Sequence, residues 1–449
     1  MIRALRQRLT KLFSQIATPY PTDNTTAIQR HGMRVNWWSS VISSVSGAFY
    51  TDFVTIYMLA LGATAATVGL RASINSAAAL AAPLLGAWLV EQTGKRKALI
   101  LLWPGFISRL MLLLMALIPF LAQGKMAVTL FVVLVALQAF SDTLAGPAAN
   151  SLLGDIVPIA VRGRYVGAQM IAGLIVRIAV LPLAGMLIKR VGGLAGYQLA
   201  WCLAALIGFL ATWLYAQLPE PQCVESQGKK GDALHSFVEG WRVFSRDRRF
   251  VAFCAAHFIW NFGVSFAGPF FQVHMVEDLG FNVETIALLA TITTPVNVLG
   301  YWLAGHWVDR AGAQRAMSVS MLFVPLLPVI WIFARSPWHV GLIQSYGFLA
   351  WAGFHVASTP LILAITPPEY RSRYIAIYNT FNAVASMISP LAAGWVYSHW
   401  GFTANCVGSA IGRGLGGFLF LLLVKTGSLG AATLTPVRVK KAPILTRKG

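Results

Sequence analysis

Six ionisable side chains stand inside long apolar stretches of this chain: Asp52, Arg109, Asp142, Arg177, His355 and Arg413. A charge at the middle of a bilayer costs ~2.5 to 3.5 kcal/mol even on the mildest scale, so each is a functional candidate by default. At ~1.5 Å rise per residue all six fall near the middle of their stretches. Asp142 lies sixteen residues before Pro158 and Arg177 thirteen after Arg164. The two therefore stand at similar depth on consecutive antiparallel segments, and they are expected to pair. Protonating such a carboxylate breaks the pair and changes which of two states is favoured, which is proton or substrate coupling; the alternative is a buried structural pair. Asp52, next to Thr51, is either a site residue or simply hydrogen-bonded near a mouth of the pathway. A lone histidine such as His355 is more often satisfied by its neighbours than a ligand.

Around these charges are amides and aromatic rings. Trp260 with Asn261 and Tyr378 with Asn379 put a flat apolar face beside an amide, which suits a small organic solute. Asn75, Gln138, Gln169, Asn297 and Asn382, with Trp38, Tyr50 and Trp351, belong to the same set; the competing reading of any of them is an ordinary interhelical bond. No phosphate-binding G-x-x-x-x-G-K-[ST], H-E-x-x-H or G-x-S-x-G pattern occurs. Cys202, Cys223, Cys254 and Cys406 have no metal-ligand spacing. Neither an enzyme nor a bound cofactor is expected.

The elements that hold these residues are membrane spans. Of 449 residues, 57% are apolar and 11% charged, against about 25% charged in soluble domains. Twelve apolar stretches, at 35–61, 65–91, 98–122, 126–156, 165–189, 194–218, 250–276, 283–307, 316–334, 338–366, 374–398 and 402–424, meet the ~18 to 20 residues a helix needs to cross hydrocarbon. A transmembrane barrel would instead show short alternating segments. The net charge of +20 suggests nucleic acid only until its distribution is read, for 27 of the 35 Lys and Arg fall in alternate loops and both tails. Basic residues flanking spans stay cytoplasmic. Both termini are thus expected inside an inner membrane, and nucleic acid is excluded as a partner. In the lead before the first span Leu5, Leu9, Leu12 and Phe13 share a helical face among basic residues, as in a helix lying on an anionic leaflet. That lead is not expected to be a cleavable signal.

The polar interruption near 219–249 leaves six spans on either side, and the two sides repeat one another. Val90-Glu91-Gln92-Thr93-Gly94 matches Val308-Asp309-Arg310-Ala311-Gly312, and Gly62 matches Gly280 at the same offset. Pro158 with Arg162, Gly163, Arg164 and Tyr165 matches Pro367 with Arg371, Ser372, Arg373 and Tyr374; Pro182-Leu183-Ala184 matches Pro390-Leu391-Ala392. The expected organisation is a basic segment 1–34, a six-helix bundle 35–218, a linker 219–249 with an interfacial helix at Leu234–Phe244, a second bundle 250–424 and a basic tail 425–449.

In these phrases the chain resembles the major facilitator superfamily, whose loop G-x-x-x-D-R-x-G-[RK]-[RK] is matched by Gly305 to Gly312, with an altered first copy keeping Gly94, Lys95, Arg96 and Lys97. The resemblance implies an all-α membrane protein of twelve transmembrane helices in two pseudo-symmetric bundles. It further implies that Asp52, Asp142, Arg177 and His355 face the central cavity, with Arg109 and Arg413 on supporting helices. Glu91, Gly94, Arg96, Asp155, Arg162, Arg164, Asp309, Arg310, Gly312, Arg371 and Arg373 form an inner gate that latches an outward-open state, unless the basic residues serve topology alone. Ala364 stands where Asp155 does, so the first bundle should hold the stronger latch. The implied function is secondary transport of a small solute by alternating access, with protons as possible coupling ions and export preferred, in a monomer. The alternatives are a non-transporting scaffold, sensor or assembly partner, and, needing a lateral opening, lipid translocation.

Overall fold

Backbone polar groups in hydrocarbon have no water to bond, so an apolar segment satisfies them within itself as a helix. The computed structural model describes residues 26–219, 247–366 and 371–425, and these form helices and short turns with no strand among the described residues. The helices are α1 (Ala27–Tyr50, continued by Val54–Ala60), α2 (Ala65–Thr93), α3 (Arg96–Leu121), α4 (Gly124–Ile156), α5 (Ile159–Val191) and α6 (Gly193–Tyr215). They continue as α7 (Arg248–Glu277), α8 (Val283–Ala311), α9 (Ala313–Trp331) and α10 (Pro337–Ile365). The run Arg371–Lys425 holds α11 (371–400) and α12 (402–425), divided at Gly401, whose φ of 77° no helix accommodates. Length and composition suit ten of the helical runs to crossing a membrane, the last run counted once. Serine-rich α1 is not among them. The helix expected near the chain start, Leu234–Phe244, Cys223 and the basic tail beyond 425 lie outside the described residues.

The internal repeat is written into the backbone. Gly62 and Gly280 have φ of 92° and 65°, and Gly94 and Gly312 have 64° and 86°. These turns lie in the left-handed region, where glycine avoids the steric cost of a Cβ. Several helices are broken where proline withholds an N–H or a turn tightens. The break in α1, a 3₁₀ turn at Thr51–Phe53, carries Asp52; the one in α7 falls at Gly268 and Pro269.

Packing divides the molecule unevenly. At the end bearing the basic loops each half has its own apolar cluster, one built on Met33, Trp37, Ile156 and Tyr165, the other on Phe250, Phe253, Tyr374 and Phe420. At the far end one cluster crosses both halves, joining Phe53, Tyr57 and Leu181 to Phe270, Ile286, Trp331 and Phe402. The crossing is made by α2 against α11, α5 against α8 and the outer part of α7 against α1. Small residues let the backbones meet there: a Cβ on Gly185 would lie 2.7 Å from that of Ala287, and one on Gly394 would lie 3.1 Å from the Cα of Ala66. The polar crossings sit at the same end, with Lys189 paired to Glu284 and Gln272 Nε2 donating to the Asp52 backbone oxygen at 3.1 Å.

Candidate functional site in the crevice between the halves

Among the described residues these contacts pin the halves together at one end, and a crevice is left between them. Its head is a cavity of about 330 Å³ lined from both halves, by Asp52 and Phe53 of α1, Leu174 and Arg177 of α5, Phe271 and Gln272 of α7, Thr294 and Asn297 of α8, Trp331 of α9 and Gln344, Phe348 and Trp351 of α10. A space of about 450 Å³ extends along the first half past Ser44, Thr51, Met170 and Gly173, sharing Asp52, Leu174 and Arg177 with the head. A third, of about 500 Å³, enters the second half and shares Asn297, Phe348 and Trp351. Its other walls include His257, Trp260, Asn261, Tyr301, His355, Tyr378 and Asn382.

Asp52 and Arg177 are the charged pair of this crevice. Arg177 Nη2 lies 2.6 Å from Asp52 Oδ1, with side chains 43% and 23% exposed, so the pair is open to whatever fills the cavity. The broken turn in α1 aims Asp52 inward, and its backbone oxygen is the one that Gln272 of the other half bonds. Broken helices whose freed backbone groups line a cavity are a recurrent way of building solute sites in membranes.

The expected pair of Asp142 and Arg177 does not form. Helix α5 packs on α1 and α8, whereas α4 packs on α2 and α3, so consecutive segments of similar depth are not neighbours here. Asp142 is exposed and faces Ser108 and Arg109 of α3 instead. His355 lines the third cavity with its ring stacked on Trp351, centroids 5.3 Å apart. Trp260, Asn261 and Tyr378 line the same cavity, while exposed Asn379 does not appear on its wall. Asn261 spends its amide protons on Asn382 O and Ser386 Oγ, both at 2.7 Å, which ties α7 to α11. Arg109 and Arg413 are buried supports: the first bonds Ser43 Oγ at 3.1 Å and packs on Gly208, and the second reaches Val264 O at 3.4 Å behind Trp351.

The basic loops of the first half are staples within that half. Arg96, 7% exposed, bonds Asp155 at 2.6 Å and Ser151 at 2.8 Å. Arg162 bonds Gly154 O at 2.6 Å and Val157 O at 3.2 Å, closing the end of α4 where carbonyls lack helical partners. The Arg96 bond to Asp155 is intact in a structure whose halves are joined at the far end, so it is not confined to an outward-open state as expected of a latch. Exposed Glu91, Asp309 and Arg310 enter no ion pair among the described residues, and the side chains of Arg164, Arg371 and Arg373 lie outside them. Sequence reading missed Arg71, a further basic residue within the apolar stretch 65–91, whose buried Nε has no partner among the described residues; a plain scan for Arg finds it. It also missed Gln272 and His257, which carry no pattern in the sequence to mark them.

Twelve helices in two repeated halves around a polar crevice are the build of a secondary transporter. The family model described as Major Facilitator Superfamily matches residues 37–274 and 253–448, and the chain belongs to that superfamily. Among curated relatives it is 23% identical over 381 residues to the probable sulfoacetate transporter SauU of Cupriavidus necator, covering 78% of this chain and 85% of the relative. It is 23% identical over 391 residues to the multidrug resistance protein MdtG of Salmonella typhi, covering 84% and 91%. The crystal structure of the nucleoside transporter NupG superposes with a TM-score of 0.66 at 15% identity, covering 88% of this chain and 98% of that one. The protein is a multi-pass membrane transporter and not an enzyme.

Proposed function

We propose that the protein exports a small organic solute against protons, with Asp52 and Arg177 as the coupling pair. Its two bundles, 35–218 and 250–424, rock about the crevice. The observation that carries this reading is the position of the pair: it lines the cavity, and the same Asp52 is bonded across the halves by Gln272. Protonating the carboxylate removes the negative charge that holds Arg177, frees it for the solute, and loosens the α1 turn on which the far-end contact with α7 rests. A gradient of protons is thereby tied to opening of the far end. Basic residues flanking the spans support the orientation with both tails and the open end cytoplasmic, in an inner membrane whose anionic leaflet faces the basic tails. Likeness to a multidrug resistance protein favours export.

In proteoliposomes, with a panel of labelled organic solutes, the wild-type protein should accumulate at least one against its gradient when a pH difference is imposed. Asp52→Asn should keep solute exchange at equilibrium but lose pH-driven accumulation. Unchanged accumulation in that variant overturns the coupling role.

A further inference from the structure

The charges of the crevice are not symmetric in what they can become. Among the described residues lining its three spaces, Asp52 is the one acid and Arg177 the one Lys or Arg. Asp142 is not on these walls and faces Arg109. Asp52 loses its charge by taking a proton, whereas arginine keeps its own. His355, exposed on the wall of the third space, adds a positive charge when protonated and none otherwise. The lining therefore swings between neutral and positive and has no state of net negative charge.

Arg177 is also within reach of a guest. Its bond to Asp52 is the single contact from Nη2 to Oδ1, and 43% of its side chain stays exposed where it lines both the head and the space along the first half. A guanidinium carries five N–H donors in a fixed fork, so one contact leaves others for a second acceptor. An ionised group among apolar helices is costly without a partner. With Asp52 neutral, an anion at Arg177 restores that partner; a cation at Asp52 would instead leave Arg177 uncompensated and close to a like charge. Beside the pair the head is walled by Phe271, stacked on Trp331 with centroids 4.6 Å apart, and by Phe348, which suits an apolar body.

From this arrangement we infer that the transported solute is an organic anion. Its oxyanion takes the place of Asp52 on the Arg177 guanidinium, and its apolar body lies against Phe271, Trp331 and Phe348. The inference rests on the crevice being the solute site, as proposed above, and names the charge that the site selects.

Equilibrium binding to the purified full-length protein in phosphatidylcholine nanodiscs at neutral pH tests this with four probes of one shape: phenylacetate, phenylacetamide, phenethylammonium and the zwitterion phenylglycine. Phenylacetate should bind about tenfold more tightly than the amide, as hydrogen bonds to a charged group predict, and more tightly than the other two. Asp52→Asn, which removes the competing carboxylate, should strengthen phenylacetate binding. Arg177→Gln should erase the preference for the anion, and so should the double variant Asp52→Asn with Arg177→Gln, which leaves no unpaired charge to disturb folding. Lys125→Gln removes an exposed positive charge at the start of α4 and should leave phenylacetate affinity unchanged, which separates the site from general attraction to a basic protein. Equal affinities for phenylacetate and phenylacetamide, tighter binding of phenethylammonium or phenylglycine, or an anion preference that survives both Arg177 variants overturns the inference. Each of those results leaves the coupling role of Asp52 standing, since that role is read from pH-driven accumulation.

Discussion

Arg177 bonds the carboxylate on the helix it packs against, not the one nearest in the order of spans. An intramembrane arginine takes whichever acceptor shortens the distance over which its charge is uncompensated, and α1 supplies Asp52 at 2.6 Å. The same physics fixes Arg96, almost wholly enclosed and bonded to Asp155 and Ser151 within one half. Because Asp155 is 45% exposed, solvent discounts the charge term, and Arg96→Ala should cost about 1 to 2 kcal/mol. A staple within a rigid half is present in every state. The variant should therefore melt at lower temperature in detergent while the labelling rate of a reporter cysteine, Ala66→Cys at the far-end seam, stays as in the unaltered background. A changed labelling rate would restore the latch reading of this loop.

The element scale is governed by small residues. Gly408, Gly412 and Gly416 of α12 recur every four residues, and the structure spends them on α7: a Cβ on Gly412 would lie 2.8 Å from the Cα of Gly263, and one on Gly416 would lie 2.5 Å from the Trp260 backbone nitrogen. Those contacts set how deeply α7 sits, and with it the wall of the aromatic cavity. Gly416→Leu should separate the two helices and cost about 1 to 3 kcal/mol or more, read as a lower melting temperature and a loss of monodisperse protein on size exclusion. Gly414→Ala, where nothing lies within 4 Å, should leave both unchanged. Equal behaviour of the two variants would remove the packing role of this face.

At the scale of the molecule, the far-end seam is the joint that alternating access must open. Lys189 and Glu284 span it from α5 to α8 beside the close contact of Gly185 with Ala287. With the double substitution Lys189→Cys and Glu284→Cys, oxidation should link the halves and stop solute exchange, and a reductant should restore it. Full exchange in the oxidised, linked protein would mean that the seam does not part during transport.

Span count, basic loops, the repeat and about half of the polar residues that line the crevice were legible in the order of residues alone. Those features follow from local rules: hydrocarbon demands long apolar helices, glycine marks left-handed turns, and a charge in oil stands out wherever it falls. Trp260, Asn261, Tyr378 and His355 were legible as lining residues for the same reason. Pairing was not legible, because order along the chain does not say which helices touch. Placing α5 against α1 rather than α4 gave Arg177 its partner, and the near-contact of small residues closed one end of the crevice. The enclosure of His257 and Trp260 likewise exists only once α7, α10, α11 and α12 surround them, for burial is a property of neighbours and no single segment carries it.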